Sequence, residues 1–143
     1  MLVASILEAK GSVVATVPRS TPLTVVVTEL VRHRVGALVV SPGDGSVDGI
    51  VSERDIVHRL SGVRGDLFDQ VVESVMSTQV ITCTPEDTVQ SVMELMTDRH
   101  IRHVPVVVDD RLCGIISIGD VVKTRIDELE RDRNELMHYI GAR

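Results

Sequence analysis

The chain has 143 residues and a formal charge of −6, an acidic balance that excludes a general nucleic-acid binder, which needs a basic surface. That length gives one compact domain or two small halves sharing a core, because a half alone buries too little surface to be stable. No stretch has the apolar length of a membrane span, and no basic segment leads into a long apolar run as in a secretory leader, so the chain reads as cytoplasmic.

In chain order, a short helical lead-in is predicted near residues 3–8, then an apolar strand over 13–16. Thr21 at the cap position and Pro22 at the first helical position open a helix over 22–34. Its Leu23, Val26, Val27 and Leu30 stand at i, i+3, i+4 and i+7, one buried face. A hairpin follows, with strands over 37–40 and 47–51 and a turn over 41–46. The stretch Gly49-Ile50-Val51-Ser52-Glu53-Arg54-Asp55 closes the passage. Its β-branched pair reads as a strand end, and Ser-x-x-Asp before the apolar pair Ile56-Val57 reads as a helix start. Residues 61–66 read as a linker, and a second helical lead-in is predicted over 69–76.

The passage then repeats. A strand over 80–82 precedes a helix over 88–99, opened by a capping box of Asp87 and Gln90. Its Val89, Val92, Met93 and Met96 lie 66 residues after the first buried face. Strands over 104–108 and 112–117 form a hairpin with a terser turn. Gly114-Ile115-Ile116-Ser117-Ile118-Gly119-Asp120 repeats the first motif, 120 − 55 = 65 residues on. The order is β-α-β-β-α, twice. The division that follows is a first repeat with its lead-in over 1–61, a linker and lead-in helix over 62–73, a second repeat over 74–127 and a helical tail over 128–143. In the tail, Val122, Ile126, Leu129, Leu136 and Ile140 have the 4-3 spacing of a coiled-coil seam, interrupted by Arg133. A helix lying on its own domain or on a dimer mate is the preferred reading.

Aromatic residues make up 1% of the chain, Phe68 and Tyr139, so the core must be aliphatic and a bound base would rest on Val, Ile and Leu. Cys83 and Cys113 are unclustered, the pattern of reduced buried thiols rather than of a disulfide or metal site.

Two β-α-β-β-α copies, each ending in Gly-hydrophobic-hydrophobic-Ser-x-x-Asp, resemble a pair of CBS domains. The stretches Val35-Gly36-Ala37-Leu38-Val39-Val40 and Ile101-Arg102-His103-Val104-Pro105-Val106 match the family's second strand, and Val75-Met76-Ser77 its usual lead-in. The resemblance covers residues 1–127. It implies an α/β fold of the α+β kind, with two tandem repeats packed about a pseudo-twofold axis and leaving two clefts, plus a C-terminal helix. It also implies a homodimer and a regulatory adenosyl ligand, AMP first, with ADP, ATP, NAD or S-adenosylmethionine as alternatives. A regulated partner protein would complete such a system.

A nucleotide sets the chemistry of such clefts. One carboxylate can accept hydrogen bonds from both vicinal ribose hydroxyls, and Asp55 and Asp120 are the candidates. Ser-x-x-Asp taken alone favours helix capping; the family resemblance favours ribose binding, and the two roles are compatible. The base needs an apolar slot with backbone polar groups, for which Val14, Thr16, Ala37 and Leu38, with Val80, Ile81, Thr82, Val104, Pro105 and Ile118, are candidates; their other reading is core. Phosphates need cations or hydroxyls: Ser52, Ser117, Arg54, Arg34, His100, Arg102 and His103. For Arg34, His100 and Arg102 a plain charge at a helix C-terminus weighs equally. Arg102-His103 stands opposite Gly36-Ala37, and Glu53-Arg54 opposite Ile118-Gly119, so the clefts should bind unequally. No Gly-rich phosphate loop with Lys, zinc spacing or Ser-His-Asp set is present. A binding module is therefore expected, with a scaffold whose clefts are vestigial as the alternative and an enzyme the least favoured reading.

Overall fold

The structure, a computed structural model, describes residues 1–62 and 69–141. It has two hydrophobic clusters, one per repeat. In the first, β1 (Thr16–Val17) runs parallel to β2 (Ala37–Val40), and β2 pairs antiparallel with β3 (Gly49–Ser52). Helix α2 (Leu23–His33) buries Leu23, Val26 and Leu30 against this sheet, and α3 (Glu53–Gly62) buries Ile56. In the second, α4 (Val89–Arg99) buries Val89, Val92 and Met96 beside the hairpin of β4 (His103–Val108) and β5 (Arg111–Ser117). The repeats relate by a pseudo-twofold axis, and Leu112 N–H donates to Gly45 O at 2.8 Å to join their hairpins.

The second repeat has no regular first strand. The predicted strand over 80–82 reduces to one parallel bridge, Cys83 to Val106, the counterpart of Val17 to Val40 in the first repeat. There the ladder runs one step further, to Val39. Pro105 stands at that place in the second repeat, 39 + 66, and has no N–H to extend it. Val80 and Ile81 are thereby left out of any ladder, beside the cleft described below.

The helix caps lie one residue from their expected places. Pro22, not Thr21, is the N-cap of α2, and Thr21 Oγ donates to Pro18 O at 2.6 Å. Thr88 caps α4, its Oγ accepting from Ser91 N–H at 3.1 Å, while the Asp87 carboxylate accepts from Thr84 N–H at 2.8 Å. In both cases the candidate polar group is spent on the turn before the helix.

The lead-ins cross over. Helix α1 (Val3–Lys10), assigned from sequence to the first repeat, buries Val3 and Ile6 in the second core. Val72, in a single 3₁₀ turn (Val72–Ser74), is buried in the first core, with Val75 and Met76 packed against it. The two are equivalent. Leu2 bridges Thr88 and Val71 bridges Pro22; Val3 N–H donates to Asp87 O and Val72 N–H to Thr21 O. Lead-in positions therefore correspond at 71 − 2 = 69. Each motif glycine admits this crossing segment: a Cβ on Gly49 would lie 2.8 Å from both Met76 Sδ and Ser77 O, and one on Gly114 2.5 Å from Leu7 Cδ2. Of the expected linker, Ser61 and Gly62 end α3, and 63–66 lie outside the described residues.

The tail is not a separate helix. Helix α5 (Ile118–Gly141) runs unbroken from the second motif. Among the described residues no helix is long and apolar enough to cross a membrane.

Candidate functional site

Each motif folds as a reciprocal cap. Ser52 ends β3, and Asp55 is the third residue of α3. Asp55 N–H donates to Ser52 Oγ at 3.2 Å, while Asp55 Oδ2 accepts from Ser52 N–H at 2.8 Å and Ser52 Oγ–H at 3.0 Å. Free helix N–H groups are satisfied this way, and the carboxylate is fixed at the positive end of the helix. Among the described residues Oδ1 of Asp55 accepts no hydrogen bond.

Asp55 borders a cleft of about 280 Å³ between the repeats. Ser52, Arg54 and Ala37 line it from the first repeat, and Val80, Ile81, His100, Arg102, His103 and Pro105 from the second. Sequence reasoning missed Gly36, Ile50, Glu53, Ser77, Gln79 and Ile101, which also line it. Glu53 and Ile50 were legible as motif neighbours of Asp55. Ser77 and Gln79 enter only because the lead-in crosses over, which spacing does not reveal. Two arginines and two histidines against Glu53 and Asp55 make the cleft more cationic than the chain as a whole.

His103 opens β4 and is half-buried. Burial pushes its imidazole below the ordinary value, Glu53 and Asp120 pull it up, and Lys10 and Arg102 push it down; the net effect is lowering. Gly36 makes room for the ring: a Cβ there would lie 3.0 Å from Cε1. His100 and its counterpart Arg34, 34 + 66, end α4 and α2 in the left-handed region at φ 54°. Non-glycine residues pay a steric cost there.

The other candidate residues lie away from this cleft. Thr82 and Arg34 are exposed. Leu38 and Val104 have no exposed surface, so their side chains are core. Val14 is partly buried and Thr16 exposed, and Ser117, Ile118 and Asp120 belong to the second motif. There Asp120 repeats the cap, with Oδ2 accepting from Ser117 N–H at 2.9 Å and its own N–H donating to Ser117 Oγ at 3.2 Å. The same oxygen also accepts from Lys10 Nζ at 2.7 Å, and Nζ donates to Ile115 O at 3.0 Å. Partial burial raises the Asp120 carboxyl, but Lys10 and the Ser117 hydrogen bonds outweigh it and hold the group below its ordinary value. No motif or spacing in the chain points to Lys10 at this place.

Both cysteines are free thiols, Cys83 buried and Cys113 partly so. Burial pushes Cys83 up to about 12, with Asp87 and Cys113 adding to the rise. Among the described residues no three His, Cys, Asp or Glu side chains are grouped to hold a metal ion.

Known proteins resemble this chain in sequence and fold. Residues 11–62 and 72–127 match the family model of the CBS domain. The chain is 38% identical over 118 residues to the mitochondrial CBS domain-containing protein CBSX3 of Arabidopsis thaliana, covering 80% of this chain and 57% of that protein. It spans 35% of a 33.4 kDa relative from Thermofilum pendens. A crystal structure of a CBS-domain protein from Agrobacterium tumefaciens superposes with a TM-score of 0.84 at 41% identity, over 87% of this chain and 99% of that one. The CBS domain pair of protein MJ0100, solved with 5′-methylthioadenosine and S-adenosyl-L-methionine, superposes with a TM-score of 0.79 at 25% identity, over 90% and 98% of the two chains.

Proposed function

The chain belongs to the CBS domain family, and on that premise we propose that it is a regulatory module that binds an adenosine-containing ligand in the cleft at Asp55, with no catalytic step of its own. One observation carries the reading: a carboxylate with an oxygen left over from capping faces a cleft between the repeats that also holds Arg54, Arg102, His100 and His103. In the proposal Asp55 accepts from the ribose hydroxyls, the main chain at Val80 and Ile81, which lies outside any strand, meets the base edge, and the basic side chains meet a phosphate or a carboxylate. The volume favours a small ligand, since about 280 Å³ falls at the lower end of small-molecule sites, roughly 300–1,000 Å³. AMP or a nucleoside of similar size fits that volume better than NAD. The adenosyl ligands held by the MJ0100 pair support the chemical class.

The proposal takes the module as a cytoplasmic homodimer whose shape the ligand shifts by binding one state more tightly than another. Thermal denaturation with AMP, ADP, ATP, NAD and S-adenosylmethionine tests it. A ligand at 100 times its dissociation constant should stabilise the fold by about 2.7 kcal/mol. No shift with any of the five would refute the reading. A second reading, an interaction subunit that works through its tail, is favoured by one observation: Val122, Ile126, Leu129, Leu136 and Ile140 on α5 are all exposed.

A further inference from the structure

The two motif aspartates are chemically alike and are used differently. Among the described residues Asp55 Oδ2 is engaged only by its own cap, with Ser52. Asp120 Oδ2 accepts in addition from a lysine that reaches it across 110 positions of sequence. The reason lies in the crossing lead-ins. Positions in them correspond at an offset of 69, so Lys10 is the equivalent of Gln79. Gln79 lines the cleft at Asp55 and is neutral. The surrounding run, Met76-Ser77-Thr78-Gln79, carries no charge.

The backbone differs in step with the side chains. Beside β3 the lead-in is extended, and Ser77 exchanges two main-chain hydrogen bonds with Ile50, at 3.0 and 2.9 Å. Beside β5 the lead-in is helix α1, which has no free main-chain donor to offer Ile115. Lys10, at the last turn of α1, supplies it instead: one Nζ–H goes to Ile115 O and another to Asp120. A lysine ammonium has three donors. Two of them are spent on the motif, on the carboxylate and on a main-chain carbonyl of the adjoining strand.

We propose that Lys10 is a built-in partner of Asp120 that pairs and crowds the carboxylate a ligand's hydroxyls would meet there, so that the chain takes ligand at Asp55 alone until Lys10 is displaced. The inference rests on the reading of Asp55 as the ligand carboxylate and adds what separates the two sites. The ammonium gives Asp120 a charge-assisted partner on Oδ2, the oxygen its own cap also uses, so a neutral diol approaching Asp120 meets a carboxylate whose charge is already paired. A site that is competent only when Lys10 has swung out binds more weakly by the fraction of time it is free. The position is a determinant of occupancy, not of chemistry.

The test is a titration by calorimetry of the full chain with AMP and with S-adenosylmethionine. The wild type is expected to bind one ligand per chain, with binding weakened at least about tenfold in Asp55→Asn and unchanged in Asp120→Asn. Lys10→Met is expected to gain a second site, or to strengthen a weak second site by about tenfold, and Lys10→Met with Asp120→Asn to lose it again. Lys10→Gln should match Lys10→Met, which guards against an effect of apolar substitution on folding. The converse change, Gln79→Lys, should weaken binding at Asp55 by a similar factor. A Lys10→Met chain with no site that depends on Asp120 overturns the proposal, as does a wild type that fills both clefts alike, or a loss of binding on Lys10→Met, which would make Lys10 a ligand contact. Failure of the Asp55 reading looks different: the wild type binds neither probe, while the Asp120-dependent site in Lys10→Met still decides the role of Lys10.

Discussion

Replacing Asp55 separates the two roles its carboxylate can play, because alanine and asparagine remove different things. Asp55→Ala removes the acceptor of Ser52 N–H at 2.8 Å and of Ser52 Oγ–H at 3.0 Å, leaving only Asp55 N–H to Ser52 Oγ. Losing a cap of this kind costs about 1 kcal/mol, which for a chain of this size lowers Tm by roughly 2–4 °C. Asp55→Asn keeps an oxygen that can accept from Ser52 N–H and loses the charge at the start of α3, a cost of about 0.3–1 kcal/mol. A ligand feels the loss of charge more strongly. A hydrogen bond to a charged group is worth about 1.5–3 kcal/mol, so weakening one of two ribose bonds should raise Kd about tenfold or more. The assay pairs Tm of the free protein with calorimetric Kd for AMP and S-adenosylmethionine. Asp55→Asn is expected to unfold within about 3 °C of the wild type and to bind at least about tenfold more weakly. Wild-type affinity in Asp55→Asn would refute the ribose role and leave the carboxylate as a cap alone.

Three further outcomes follow from the geometry. Gly49→Ala should cost about 1–3 kcal/mol in denaturant unfolding, since its Cβ would meet the Ser77 carbonyl at 2.8 Å in a segment tied down by main-chain bonds; Gly114→Ala should cost less despite a 2.5 Å approach, because Leu7 Cδ2 is the end of a side chain that can rotate, and the reverse order would contradict this. His100→Gly should leave Tm unchanged or higher, as it relieves a left-handed residue at φ 54°, yet weaken binding of AMP; unchanged affinity would remove His100 from the site. His103 makes stability depend on pH: its folded value lies below 6.5, so it adds nothing above that pH, and stability falls as pH drops from 6.5 through the folded value, by at most about 1.4 kcal/mol per pH unit. Tm measured from pH 7 to 5 should fall less steeply in His103→Gln than in the wild type, and equal slopes would contradict the assignment.

The duplicated order, the buried faces of α2 and α4, and both motifs were legible because each rests on local periodicity or on a spacing that survives duplication. Leu23, Val26 and Leu30 and their partners 66 residues on are buried as a helical face should be. Less legible was anything decided by which segment crosses to which repeat. Nothing local distinguishes Val3 packing in the first core from Val3 packing in the second, since apolar burial is non-directional. The cap positions slipped by one residue because Thr21 and Asp87 are equally competent in the preceding turn, and that turn claims them. The loss of the strand at 80–82 was written in Pro105, but only the register of Val17 with Val40 tells which donor the proline removes.

That crossing also explains how one duplicated motif comes to have two fates. The Ser-x-x-Asp pair needs only its own four residues to cap a helix, and both copies do so with nearly identical distances. A cap uses one carboxylate oxygen and the N-terminal N–H groups, leaving the outward face of the acid to whatever segment lies over it. In the first repeat that segment is extended and neutral and leaves a cleft; in the second it is a helix ending in Lys10. Folding holds both aspartates in place by the same local bonds, so selection on the lead-in alone can open or fill a site without disturbing the fold. The cost of changing Lys10 should accordingly be small in Tm, because the pair is partly exposed, at 35% and 23%, and such pairs contribute at most about 1 kcal/mol. A fall in Tm on Lys10→Met much beyond what Asp55→Ala produces would show that Lys10 anchors α1 on the second repeat, and the separation of fold from occupancy would fail.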